Sequence, residues 1–312
     1  MVKPVPKPDE VRIRVVATTV TAGDCELRGL RVSFGLRMLF RLYAGLRKPN
    51  RKILGQELAG TVDAVGRDVT RFKNGDQVFG TTGLGFGAYA EYVCLPAETR
   101  GAVLALKPAN MTDEEAASIP MGGLEALRFL READLHRGQT VLIIGAGGSI
   151  GVVAVQLAKY FGTVVTAVDR TEKLGMLRSV GADRAIDFLH EDFRNDGSTY
   201  DVVFDVVGRS RISQNLKVVK PNGIYLCANP RLSSMIRRSR RAGPGGVTVV
   251  VRAGPPRAED LVILKELIER GRIKAAIDRR YPLEQVPDAH RYVESGTAHG
   301  KVVITVGQPG RT

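Results

Sequence analysis

Short apolar runs recur along this chain, and between residues 141 and 251 they alternate with stretches of helical periodicity. Strand candidates fall at 141–144, 163–168, 184–187, 201–207, 223–227 and 247–251. Helical spacing fills 149–161, 171–180 and 210–219, and 258–270 follows the last strand. Gly162, Gly181 and Gly271 stand where helices are expected to stop. Parallel strands joined through single helices need right-handed crossovers, so this part predicts an α/β doubly wound sheet. Only the run between 227 and 247 is too long and irregular to continue the repeat.

The amino-terminal part follows a different pattern. Val11–Ala17 and Gly60–Val65 are strand-like, and RFKNGDQVFG (71–80) places an Asn-Gly turn before a short apolar strand. GAYAEYVCL (87–95) alternates as a half-buried strand does, and GKVVITVG (300–307) forms a last one. Short strands between glycine turns predict an irregular β-barrel. The last strand is expected to return to it, across 281–295. The expected domains are therefore 1–107 with 281–312, and 108–280.

Chemistry concentrates where the first parallel strand ends. VLIIGAGGSIG (141–151) runs straight into the helical VVAVQLAKYFG, with Gly145, Gly148 and Gly151 three apart. The first glycine permits a tight turn, the second lets the backbone approach a pyrophosphate, and the third lets helix and strand pack closely. The N–H groups of the helix start then face the anion. Asp169 ends the next strand, where a carboxylate can accept hydrogen bonds from an adenosine ribose. That favours NAD(H), whereas Arg170 and Lys173 beside it can clamp a 2′-phosphate.

Composition narrows the class. The chain has 312 residues, is 44 % hydrophobic and has no apolar run long enough to span a bilayer. Its amino terminus is polar and proline-rich rather than a secretory signal. Cys25, Cys94 and Cys227 are far apart and make no Cys-x-x-Cys, as expected of free thiols in a cytoplasmic protein. A net charge of +13 raises nucleic-acid binding, but the densest basic run, Arg231–Arg241, lacks aromatics for base stacking. A solvated face is the simpler account of that run. Arg37–Arg51 interleaves basic with apolar residues as an amphipathic helix does, covering a pocket or touching a membrane surface.

Several segments resemble the medium-chain dehydrogenase/reductase superfamily, in its zinc-less, quinone-oxidoreductase-like branch. They are DEVRIRVVATTVTAGD (9–24), GQELAGTVDAVGRDVTRFKNGDQVFG (55–80), GAYAEYV (87–93), KPANMTDEEAASIPMGGLEAL (107–127), the glycine turn, DVVFDVVG (201–208) and GKVVITV (300–306). They occur in family order over nearly the whole chain. The resemblance implies a GroES-like barrel plus a Rossmann domain, and a homodimer paired through Val247–Val251. It also implies hydride transfer from NAD(P)H to a quinone, enone or carbonyl. The dinucleotide would meet Glu125, Gly145, Ala146, Gly147, Gly148, Ser149, Ile150, Gly151, Asp169, Arg170, Lys173, Val207 and Gly208.

Departures from the family pattern matter as much. Zinc-dependent relatives carry a cysteine and a histidine at positions that look like Thr21 and Gln56 here, both poor zinc ligands, and the structural-zinc cysteine lobe is absent. No zinc is expected. Members usually have another strand and hairpin before the segment matching Val5–Val16, so the barrel is expected to lack its first strands. Glu125 stands where relatives have a threonine near the nicotinamide; an anion there would favour the oxidised ring unless it turns outward. The quinone reductases' tyrosine position looks like Glu26. The catalytic candidates are Thr21, Asp24, Glu26, Tyr43 and Gln56. Asp24 suits turn capping or domain bracing better than proton donation. Tyr43 is the most attractive phenolic donor, though an exposed or core-packed aromatic fits it equally. A zinc-independent alcohol/ketone oxidoreductase and a non-catalytic dinucleotide- or RNA-binding protein stay open.

Overall fold

The structure is a computed structural model that describes residues 3–29, 53–98, 101–208, 212–229, 240–242, 244–251 and 257–307. It falls into two compact units, one of 1–121, 257–269 and 275–312, the other of 122–256 and 270–274. The expected boundaries placed 108–121, 257–269 and 275–280 with the dinucleotide-binding part. In the structure all three belong to the barrel unit, where Ala109 N–H donates to Glu269 Oε1 and Asn110 Nδ2 to the Ile268 carbonyl.

The barrel unit contains β1 (Glu10–Val20), α1 (Ala22–Arg28), β2 (Glu57–Val65), β3 (Gln77–Thr81), β4 (Tyr92–Pro96), β5 (Val103–Leu106) and α2 (Asp113–Ala117). Its seven-stranded sheet also takes in β13 and β14, defined below. β1 organises it. One edge pairs with β2, while the other pairs with β4 through Glu10–Arg14 and with β14 through Ala17–Val20. Alternation puts Val11, Ile13 and Val15 in the core and Arg12 and Arg14 outside. Of the expected strand at 87–95, only its last part becomes regular, as β4. The Asn-Gly turn feeds β3 as read from the sequence.

In the second unit lie α3 (Pro120–Ala133), β6 (Thr140–Ile144), α4 (Ser149–Tyr160), β7 (Val164–Asp169), α5 (Leu174–Ser179), β8 (Arg184–Asp187), β9 (Tyr200–Asp205), α6 (Ile212–Asn215), β10 (Val219–Cys227), β11 (Arg240–Ala242) and β12 (Thr248–Val250). Strand order is β11-β12-β10-β9-β6-β7-β8, parallel except for the antiparallel β11–β12 pair. Order reverses between β6 and β9, so their carboxyl ends, Ile144 and Asp205, flank the switch point. The outer edge of β12, expected to pair with a second copy, is taken by β11 of the same chain.

The chain then returns to the barrel unit through α7 (Ala258–Glu269), β13 (Ile277–Pro282), α8 (Val286–Glu294) and β14 (Lys301–Thr305). The region 281–295 is therefore a strand end plus a helix, whose buried Ala289 joins Val20, Cys25, Val302 and Ile304 in a second apolar cluster. Among the described residues no helix is long and apolar enough to cross a membrane. The basic side chains of 231–241 and those of 37–51 lie outside the described residues.

Candidate functional site

The dinucleotide candidates converge at the switch point. Gly145 adopts φ +79°, and a Cβ there would meet the Val207 side chain at 2.3 Å. The N–H groups of Gly145 and Ala146 both donate to the Val168 carbonyl, at 2.9 and 3.1 Å, which fixes the turn against β7. Gly151 sits where a Cβ would lie 2.5 Å from Ala146 Cα, so only glycine lets α4 pack so close. Gly148 differs. A Cβ there would find only the Gly145 carbonyl oxygen, at 3.4 Å, leaving its face open.

Gly148 caps α4 in extended conformation without a side-chain hydrogen bond. The N–H groups of Ser149, Ile150 and Gly151 belong to the first helical turn and have no intrahelical acceptor. Ser149 Oγ is buried and meets no partner among the described residues. Unpaired donors at the positive end of a buried helix suit a pyrophosphate. Gly122 on α3 serves this turn, since a Cβ there would strike the Ser149 carbonyl oxygen at 2.2 Å. The glycine pair in MGGLEAL carried that signal.

Asp169 is nearly buried and already occupied. Its Oδ2 accepts the Gly147 N–H at 2.7 Å, its Oδ1 accepts the Arg170 N–H at 2.9 Å, and Lys173 Nζ lies 3.4 Å from Oδ1. Gly147 is needed here because a Cβ would lie 2.5 Å from Lys173 Cδ. Phe188, half-exposed, follows the end of β8, and its N–H donates to the Asp169 carbonyl. Sequence reasoning passed over it. Gly208, at φ +63°, donates its N–H to the buried Asp205, whose other oxygen takes Tyr225 OH at 2.7 Å and Asn215 Nδ2 at 3.2 Å. Glu125 pairs with Arg128 one turn on, at 2.5 Å, so its charge is met within the helix. Burial, the larger effect, still raises its pKa.

The described catalytic candidates, Thr21, Asp24, Glu26 and Gln56, are in the barrel unit. Thr21 caps α1 in a capping box: Asp24 N–H donates to Thr21 Oγ1 at 3.1 Å, and Thr21 N–H donates to Asp24 Oδ2 at 2.9 Å. Thr21 Oγ1 also donates to Asp24 Oδ2 at 2.7 Å. Gln56 donates Nε2 to the Gly83 carbonyl at 3.1 Å. A Cβ on Gly23 would lie 3.5 Å from both Gln56 Oε1 and Thr21 Oγ1, so these two oxygens flank one glycine. Glu26 is exposed on α1 and does not join them; helical rotation turns it away from buried Asp24 and Cys25. Tyr43 lies outside the described residues.

Behind Thr21 is a buried polar cluster that the sequence did not announce. Glu57 is fully buried and receives Lys301 Nζ and Thr19 Oγ1 on one oxygen and the Met121 N–H, at 2.8 Å, on the other. Tyr89 OH donates to the Thr19 carbonyl at 3.3 Å and lies 3.2 Å from His290 Nε2. The Cys25 sulfur lies 3.5 Å from His290 Nδ1. Burial lowers the His290 pKa and pushes the Cys25 thiol up to about 12, so both are neutral near pH 7. Burial also lifts Tyr89 well above the ordinary phenol range, helped by Asp24.

Thr21 and Gln56 do not suit zinc. The threonine oxygen is engaged by Asp24 and the glutamine nitrogen by a carbonyl, and neither is a zinc-type donor. Among the described residues no three His, Cys, Asp or Glu side chains are grouped to hold a metal ion.

Residues 7–107 match the alcohol dehydrogenase GroES-like domain family and 180–304 the zinc-binding dehydrogenase family. The chain is 33 % identical over 309 residues to the 2-methylene-furan-3-one reductase of Solanum lycopersicum, covering 96 % of this chain and 72 % of that one. It is 30 % identical to the chloroplastic NADPH-dependent alkenal/one oxidoreductase of Arabidopsis thaliana, covering 97 % and 74 %. The solved quinone oxidoreductase of Coxiella burnetii superposes with a TM-score of 0.81 at 27 % identity, covering 98 % and 93 %.

Proposed function

This chain belongs to the medium-chain dehydrogenase/reductase superfamily as a quinone-oxidoreductase-like member, and from that premise we propose that it is an NAD(P)H-dependent reductase of quinones or α,β-unsaturated carbonyls. The observation that carries this reading is the glycine turn, whose open face at Gly148 adjoins the unpaired N–H groups of α4. The bound nicotinamide supplies the hydride. The chain's own task is to hold the pyrophosphate at Gly148–Gly151, seat the adenosine ribose beside Asp169 and Lys173, and offer hydrogen bonds to the substrate oxygen. For the last we assign Thr21 Oγ1, with Gln56 beside it; such donors are needed where no metal polarises a carbonyl. Neither residue is a zinc-type donor.

Cofactor choice rests on Asp169. Its carboxylate would repel a 2′-phosphate, but Lys173 offsets the charge and the Arg170 side chain is exposed next to it. We infer that this balance cancels the preference for NADH that an unpaired acid would give, so that NADPH binds with comparable affinity. Fluorescence titration of both nucleotides tests it. Lys173→Ala should weaken NADPH about tenfold more than NADH, and Asp169→Ala should favour NADPH. An unchanged ratio in both variants contradicts the assignment. Cofactor binding with no oxidation by any quinone or enone would instead favour a dinucleotide-binding scaffold.

Assembly and compartment follow as expectations. A homodimer would pair through the outer edge of β11, since β12 is already covered; analytical ultracentrifugation reads this. Three free cysteines fit the cytoplasm.

A further inference from the structure

The carboxyl group of Asp24 is unevenly served. Oδ2 receives the Thr21 N–H and hydroxyl, whereas Oδ1 is buried and meets no donor among the described residues. The side chain is fully removed from solvent, and Thr21, which hydrogen-bonds it, is half-buried, its Oγ1 and Gln56 Oε1 each 3.5 Å from a Cβ placed on Gly23. A carboxylate with one unserved buried oxygen favours its neutral form.

We propose that Asp24 holds a proton and delivers it through Thr21 to the substrate oxygen after hydride transfer, a role that rests on the reductase reading above. In the neutral acid, Oδ2–H donates to Thr21 Oγ1. That oxygen accepts from both Asp24 N–H and Oδ2–H, so its own proton points outward. The reduced substrate leaves hydride transfer as an enolate or quinol anion. Its oxygen takes the Thr21 proton while the Asp24 proton moves to Thr21 Oγ1. One O–H bond forms on the product, one breaks on Asp24, and the electron pair stays on Oδ2. The charged form then has Thr21 donating to Asp24 Oδ2 across the same 2.7 Å contact. Solvent reprotonates the acid through Thr21 once product leaves. Asp24 thus acts as a positioning and proton-holding residue, and Thr21 is the group that touches substrate.

Its surroundings suit the task. Facing Asp24 are Glu57 from β2 and Lys301 from β14, which pair with each other, and Tyr89 before β4, whose hydroxyl approaches the Asp24 carboxyl group. Cys25 on α1 and His290 on α8, near Arg28 and Glu294, stay neutral beyond them. Burial, the largest influence, raises the Asp24 pKa to about 6. The acid is therefore loaded below that pH and empties as pH rises through it.

Two readouts on the full-length protein test this. Infrared difference titration, without cofactor, should show a protonated-carboxyl band with a midpoint near 6 that Asp24→Asn abolishes. Steady-state turnover with NADPH and either 1,4-benzoquinone or methyl vinyl ketone should show kcat falling as pH rises through the same midpoint. Thr21→Val should lose about a hundredfold in kcat with KM nearly unchanged, and Thr21→Ser should restore it. This pair keeps Asp24 and stands even if Asp24→Asn fails to fold. No carboxyl titrating near 6, or a Thr21→Val enzyme with the wild-type profile, overturns the relay alone. No oxidation of NADPH by either acceptor in the wild type overturns the reductase reading, and the relay with it.

Discussion

Single residues divide here into those that shape the turn and those that act from it. Gly151→Val must push Ala146 from 2.5 Å, which is backbone, so the protein should be destabilised by several kcal/mol and melt early. A Cβ on Gly148 meets nothing closer than the Gly145 carbonyl oxygen, at 3.4 Å. Gly148→Val should fold with a near wild-type Tm yet lose at least about tenfold in NADPH affinity, because the added methyls occupy the pyrophosphate approach. Equal melting losses in both would mean that the open face at Gly148 is not a binding face. Asp24 gives a second contrast. Its folded pKa near 6 exceeds the unfolded value near 3.8, so the folded state binds the proton more tightly. Its burial penalty is absent below about pH 3.8, grows as pH rises and is complete above 6. Asp24→Asn should therefore gain on wild type between pH 4 and 7 in denaturant titrations, by on the order of 3 kcal/mol at most. A difference that does not vary with pH would contradict the raised pKa.

At the scale of elements, the strands of the doubly wound sheet and the helices ending before Gly162 and Gly181 were legible from one period and a glycine stop. The glycine-rich turn was legible for the same reason, local rules being sufficient for a strand, a turn and a helix start. The helix expected over 210–219 is instead only Ile212–Asn215, followed by a 3-10 turn into β10. The barrel was harder. β5 and α2 are short, and β13 pairs with β14 only because the chain has returned, a non-local event. The Glu57–Thr19–Lys301 cluster was invisible for that reason, since it joins β2, β1 and β14 across most of the chain. So were Tyr89 and His290. The capping role of Asp24 was readable from Thr-x-x-Asp, but not its burial. Lys301→Met would strand the Glu57 charge, and the cost should be about 3–5 kcal/mol in urea titrations. Adding Glu57→Gln should recover much of that loss. An additive double variant would show that the pair is not coupled.

For the whole molecule, the chain divides its labour between units built on different rules. The parallel sheet brings backbone N–H groups and small residues to one switch point, whose shape and dipole suit an anion. The barrel unit carries Thr21, Gln56 and, hydrogen-bonded to Thr21, the buried Asp24. Hydrogen bonds replace a Lewis acid in this account, and the proton comes from the protein. The central claim is thus reduced-nicotinamide chemistry without a metal. It is tested most directly by acceptor-dependent loss of NADPH absorbance, with 1,4-benzoquinone or methyl vinyl ketone, before and after exhaustive dialysis against a chelator. The account predicts turnover that depends on the acceptor and is unchanged by chelation; activity lost to the chelator and restored by zinc would contradict it.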